Sequence, residues 1–174
     1  MRSYKTEGVV IKRSNLSEAD RILTIFTKKH GKIKILAKGV RRINSRRGPN
    51  VELFNEVAVF VHHGRTFDIL TEVELKNSFS KIRKKLDLVG LAFHVCELVD
   101  NLCPENEPHP QIYEHLKEVL SQLDQGLVHK FERNLLIELG YLPKSKVFEK
   151  IDTTSYVEKI LEKKLKTKRI ISRF

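Results

Sequence analysis

Lys32-Ile33-Lys34-Ile35-Leu36-Ala37-Lys38 decides the fold. Side chains of a strand alternate between faces with period 2, so Ile33, Ile35 and Ala37 fall on one side and Lys32, Lys34 and Lys38 on the other. The reading is a strand with an apolar inner face and a lysine ladder outside. VVIKR and RILTIFT precede this segment, EVAVFVHH and FDILTEVEL follow it, and turn signals stand between them. Five short strands between Tyr4 and about Phe79 predict a small barrel or sandwich. His30-Gly31 and His63-Gly64 lie between strand-like runs, where glycine permits the positive φ of a tight turn, so these histidines read as turn residues. In the last strand Phe67, Ile69, Thr71, Val73 and Leu75 alternate with Asp68, Glu72 and Glu74, giving an acidic outer face that nucleic acid should avoid.

After Phe79 the apolar spacing becomes helical. Leu86 to Leu102 is apolar almost all round, as expected for a helix buried among others. Ile112 to Leu123 and Leu127 to Leu139 are amphipathic, with Gly126, Gly140 and Pro143 as stops. Ser155-Tyr156-Val157-Glu158 matches a capping box ahead of Ile160, Leu161 and Leu165. The expected class is α+β, with a β-barrel over residues 1–79 and an α-helical domain over 80–174.

The formal net charge of +11 is segregated along the 174 residues. Residues 1–50 hold 14 Lys/Arg against 3 Asp/Glu, residues 51–150 hold 12 against 16, and residues 151–174 hold 7 against 3. Such a field is what a polyanion partner selects, nucleic acid first and an anionic membrane surface second. Between Lys28 and Arg47 stand nine cations and no acid: Lys28, Lys29, Lys32, Lys34, Lys38, Arg41, Arg42, Arg46 and Arg47. Arginine forks can hold phosphates bidentately and lysines act as point charges, so these nine are the candidate phosphate contacts. Lys166, Lys168 and Arg169 form a second patch. Tyr4, Phe26, Phe54 and Phe60 are the aromatic candidates for base stacking.

Catalytic signatures are missing: the chain has no GxSxG, GxxxxGK[ST], HExxH or CxxC. The seven histidines show no ligand spacing, and His94 reads as a hydrogen-bonded core residue. Glu18 and Asp20 would be the acids of a metal-dependent nuclease, but they read as turn residues. Cys96 and Cys103, two turns apart on one helix, would lie roughly 10 Å apart and read as buried thiols rather than a disulfide. No signal peptide or membrane span is expected, which predicts a cytoplasmic protein. The expectation is a non-enzymatic protein with no cofactor.

Thr6-Glu7-Gly8-Val9-Val10-Ile11-Lys12, Glu18-Ala19-Asp20-Arg21-Ile22-Leu23, His30-Gly31-Lys32 and Ala37-Lys38-Gly39-Val40-Arg41-Arg42 resemble, in order and spacing, the N-terminal region of bacterial RecO proteins. Residues 131–143, FERNLLIELGYLP, resemble that family's helix leading into its usual zinc module. The resemblance implies an OB-fold followed by a helical domain. It further implies binding of single- and double-stranded DNA, strand annealing, and cooperation with RecR and single-strand-binding protein in recombinational repair, with the protein nucleoid-associated. Lys144–Lys150 carries no cysteine, so the zinc module is expected to be missing and stability to be indifferent to chelator. The alternatives are an RNA-binding module, the nuclease, and a scaffold whose basic face meets an acidic partner.

Overall fold

The structure, a computed structural model, describes residues 3–144 and 151–168. Strands β1 (Ser3–Asn15), β2 (Arg21–Thr27), β3 (Gly31–Ala37), β4 (Glu56–His62) and β5 (Asp68–Asn77) close into a barrel in the order β1-β2-β3-β5-β4. The long β1 pairs with β4 through its first half, Ser3↔His62 to Val9↔Glu56, and with β2 through its second, Gly8↔Thr27 to Asn15↔Arg21. Closure comes from one short parallel seam, Ile35↔Asp68 and Leu36↔Ile69, while all other pairs are antiparallel. A five-stranded barrel connected in this way is an OB-fold.

Two apolar clusters explain why the first strands are hydrophobic without a break. Val10, Leu23, Ile25, Ile35, Val59 and Leu70 fill the barrel interior. Val9, Ile11 and Phe26 point outward and pack beneath the helices, so the same strands are buried on both faces. The helices are α1 (Leu86–Leu102), α2 (Pro110–Ser121), α3 (Gln125–Glu138) and α4 (Thr153–Leu161). Val95, Val99, Leu116 and Leu135 continue the outer cluster among them, so barrel and helices share a core rather than merely touching.

Two local expectations are corrected. Strict alternation along β5 fails because the register slips between Phe60 and Val61 of β4: Phe60 faces Glu72, but Val61 faces Leu70. Thr71 is therefore bulged, Leu70 turns inward, and Leu75 is 40% exposed. The capping box is also displaced. Helix α4 begins at Thr153 and its cap is Asp152, whose carboxylate accepts from the Ser155 amide at 3.1 Å. Glu158 instead accepts from the Leu165 amide at 3.0 Å and pairs with Lys168.

Gly31 has two reasons to be glycine. Its φ is +65°, and a Cβ there would lie 2.1 Å from the Glu107 carbonyl oxygen. The segment after α1 runs along β3, with the Asn106 amide donating to the Lys32 carbonyl at 3.0 Å, so backbone rather than a movable side chain blocks the space. Gly31→Ala is expected to destabilise by about 2–3 kcal/mol, read as a lowered denaturation midpoint with unchanged slope.

Candidate nucleic-acid interface

The connection from β3 to β4 projects from one end of the barrel and is tied down at both feet. At the first foot the Gly39 amide donates to Asp20 Oδ1 at 2.8 Å, and the Arg41 amide donates to the Ala19 carbonyl at 3.0 Å. The Arg41 guanidinium donates to the Ser17 carbonyl in the neighbouring β1–β2 turn at 2.5 Å. At the second foot Arg47 donates to the carbonyls of Lys38 at 2.8 Å and Leu70 at 3.0 Å, and the Gly48 amide donates to Ser45 Oγ at 3.2 Å. Val40 is buried beneath. The loop thus holds Arg42 and Arg46 out from a fixed base, both exposed.

The nine expected phosphate contacts divide by environment. Lys32 contradicts the exterior ladder: it is 6% exposed, its ammonium donates to the Asp100 carbonyl and lies 3.7 Å from the Asp100 carboxylate. Alternation identifies the face of a strand but not what covers it, and here the C-terminal end of α1 covers it. Lys28 and Lys34 are exposed but paired with acids from the helical half, Lys28 with Glu114 at 2.8 Å and Lys34 with Glu105. Exposed pairs of this kind are weak enough for a phosphate to displace. Arg47 is a clamp within the loop. Lys29, Lys38, Arg41, Arg42 and Arg46 remain exposed, with no ion pair among the described residues.

Two further arginines join the loop end. Arg13 and Arg21 flank the β1–β2 turn and share Glu52, at 2.6 and 3.8 Å. Partial burial, with Arg13 and Arg41 beside it, pulls the Arg21 pKa below its ordinary value, which shows three guanidiniums sharing one field. Counting charge density along the chain missed this pair, because both lie before the acid-free run and only strand pairing brings them beside Arg41. The period-2 pattern of β1 places Arg13 opposite Lys12 and was the one available signal.

Of the expected stacking residues, Phe26 and Phe54 are buried. Tyr4 is half-buried and donates to Asp68 at 3.2 Å; burial and that carboxylate push its pKa up to about 12. Phe60 is 40% exposed, on the side of the barrel that carries Glu72, with Lys5 Nζ 5.8 Å from its ring centroid. Phe93, read in the sequence as part of the all-round apolar α1 rather than as a stacking candidate, is 38% exposed and packs edge-on against Phe54 at 5.1 Å. It lines a cleft of about 460 Å³ between β1, α1 and the C-terminal turn, with Ile11 and Leu53 as floor and Lys12, Arg13 and Lys164 on the rim.

The second basic patch is anchored to α1. Glu97 accepts from the amides of Lys166 and Thr167 at 2.8 and 2.9 Å, which leaves the Lys166 side chain exposed, whereas Lys168 pairs with Glu158 at 2.7 Å. Arg169 lies outside the described residues. His94 is buried beside this turn: Nε2 donates to Glu132 at 2.5 Å and Nδ1 is 2.9 Å from the Thr167 hydroxyl.

Asp20 serves the loop and exposed Glu18 stands in the same turn. No group of three or more His, Cys, Asp or Glu among the described residues could hold a metal ion. Cys96 and Cys103 are free and buried; burial pushes Cys103 up to about 12 and Cys96 further. Among the described residues no helix is long and apolar enough to cross a membrane.

Comparison with known proteins matches both halves. A family model described as Recombination protein O N terminal covers residues 1–79, and one described as Recombination protein O C terminal covers residues 83–146. DNA repair protein RecO of Pelotomaculum thermopropionicum is 34% identical over 147 residues, 82% of this chain and 57% of the relative. The protein of the same name from Roseiflexus sp. is 33% identical over 147 residues, 82% and 52% of the two chains. That from Geobacter metallireducens is 35% identical over 146 residues, 81% and 60%. The chain spans little more than half the length of these relatives.

Proposed function

The chain belongs to the RecO family, and from that premise we propose that it is a non-catalytic DNA-binding protein of recombinational repair that holds strands on the arginine end of its barrel and promotes their annealing. The observation that carries this reading is the tethered loop with Arg42 and Arg46 exposed above Arg13, Arg21 and Arg41. Phosphate contacts fix the backbone without reading bases, so both single and double strands fit the surface. Lys166 extends the charge along the helical half.

Mobility shifts and annealing of complementary oligonucleotides test this, with matched RNA as competitor. Binding of both DNA forms and faster annealing than in buffer are expected. Retarded RNA with unretarded DNA would favour the RNA-binding module, and DNA cut in the presence of Mg²⁺ would favour the nuclease.

RecR and single-strand-binding protein are the proposed partners, as the family resemblance implies. The cations just ahead of α1, Arg83, Lys84 and Lys85, offer one dock for an acidic tail. Arg83 is engaged by the carbonyls of Ser78 and Leu53 and by Asn55 Oδ1, and most of α1 is covered. The cleft beside Phe93 sets Ile11 and Leu53 against Lys163, Lys164 and Lys166 and also holds Glu97 and Asp100, the latter paired with Lys12, so an acidic tail would dock on its lysine side.

A further inference from the structure

Ile43 is the one large apolar side chain that the fold leaves wholly in solvent among the described residues, at 107% relative exposure. A single exposed aliphatic residue usually needs no explanation. Its setting here does: it stands at the tip of the β3–β4 loop, directly after Arg42 and three residues before Arg46. The loop beneath it is held rather than free. Two turns stiffen it, with the Arg42 amide donating to the Gly39 carbonyl at 3.2 Å and the Ser45 amide to the Arg42 carbonyl at 2.9 Å. Arg41 and Arg47 lash its feet to the β1–β2 turn and to β5. Gly48 lets the returning chain pass close, since a Cβ there would lie 2.7 Å from the Val40 carbonyl oxygen. The neighbouring turn presents Leu16, 52% exposed, one residue before the Ser17 carbonyl that Arg41 grips.

We propose that Ile43 is a wedge that enters between adjacent bases of a bound DNA strand while Arg42 and Arg46 hold the phosphates on either side. The inference rests on the DNA-binding reading of this loop and adds a base-directed contact to it. A β-branched side chain is short, stiff at χ1 and apolar, which suits it to part a base step without offering a hydrogen bond to any base. Flanking cations place the phosphates, and the fixed loop keeps the tip from folding back onto the protein. A strand parted at one step presents unstacked base edges, which is the form in which a complementary strand can pair with it. Leu16 would meet the sugar or base next to the opened step.

The test uses an oligonucleotide carrying 2-aminopurine, whose fluorescence rises when it loses its stacked neighbours. With the wild-type chain, fluorescence is expected to rise on binding. Ile43→Ser should abolish the rise yet bind within about tenfold of wild type, because the phosphate contacts that dominate affinity remain. Ile43→Phe should keep the rise, showing that an apolar tip rather than isoleucine itself is required. Both variants change a side chain in full solvent, and unchanged circular dichroism confirms that they fold. A rise that survives Ile43→Ser, or wild-type binding without any rise, overturns the wedge while the binding surface stands. Wild-type protein that fails to bind at low salt overturns both.

Discussion

Replacing Arg42 and Arg46 together with glutamate is expected to weaken binding to single-stranded DNA by about one to two orders of magnitude at moderate salt. Each lost phosphate contact removes its released counterion, and each new carboxylate repels the strand. The slope of log affinity against log salt should become shallower by about 1.4, at about 0.7 per contact. The loss should be even across DNA sequences, because phosphates carry no base identity. Both side chains are exposed, so the melting temperature should hardly move. The matched comparison sets Arg42→Gln with Arg46→Gln against Lys28→Gln with Lys34→Gln. The lysines lie in the acid-free stretch of sequence but are paired with Glu114 and Glu105, so their removal should cost far less affinity. Equal losses from both glutamine double variants would show that the helical acids do not hold the lysines in solution.

Glu132→Ala is expected to be the most damaging change to stability. Glu132 is 2% exposed and accepts from His94 at 2.5 Å and from the hydroxyl of Thr153, with His129 3.3 Å away. It links α1, α3 and α4 through charge and hydrogen bonds in the second core. Removing the carboxylate leaves His94 buried without its acceptor, which costs about 3–5 kcal/mol when a buried pair is broken from one side. For a chain of this size the melting temperature should fall by roughly 6–20 °C. The pH dependence has a definite sign. Burial pushes the Glu132 carboxyl upward, but hydrogen bonds from His94 and Thr153 and the charges of His94 and His129 outweigh it, so its folded pKa lies below the usual 4.5. A depressed carboxylate contributes stability that is present above its unfolded pKa and lost as pH falls through the folded one. Acid titration below about pH 4.5 should therefore destabilise the wild type more than Glu132→Gln. Parallel acid profiles for the two would contradict this account.

Much of the barrel could be read from residue order because its determinants are local. Period-2 alternation in β3, glycine after His30 and apolar runs of strand length each report on a few neighbouring residues. The break in β5 could not be read, since a bulge at Thr71 is set by how β4 pairs across from it. The cap of α4 was misplaced because Ser155 and Asp152 are both good caps, and their mutual hydrogen bonds decide which leads. The candidate surface was half legible for the same kind of reason. The acid-free run from Lys28 to Arg47 contains the proposed loop, but Asp100, Glu105 and Glu114 return from far along the chain to take up Lys32, Lys34 and Lys28. Arg13 and Arg21 enter the surface by strand pairing alone.

Affinity of the wild-type chain for a fluorescent single-stranded oligonucleotide, measured across salt concentrations, tests the central claim most directly. Lys29, Lys38, Arg41, Arg42 and Arg46 are the cations of the acid-free stretch left exposed without an ion pair among the described residues. If the four at the loop end, Lys38, Arg41, Arg42 and Arg46, meet phosphates, the slope of log affinity against log salt should be about −2.8, at about −0.7 per contact, with Lys29 apart from them in the β2–β3 turn. Partial displacement of Glu105 and Glu114 would steepen it slightly. Binding that is absent at low salt, or whose slope is near zero, would contradict the assignment of this basic loop as a DNA-binding surface.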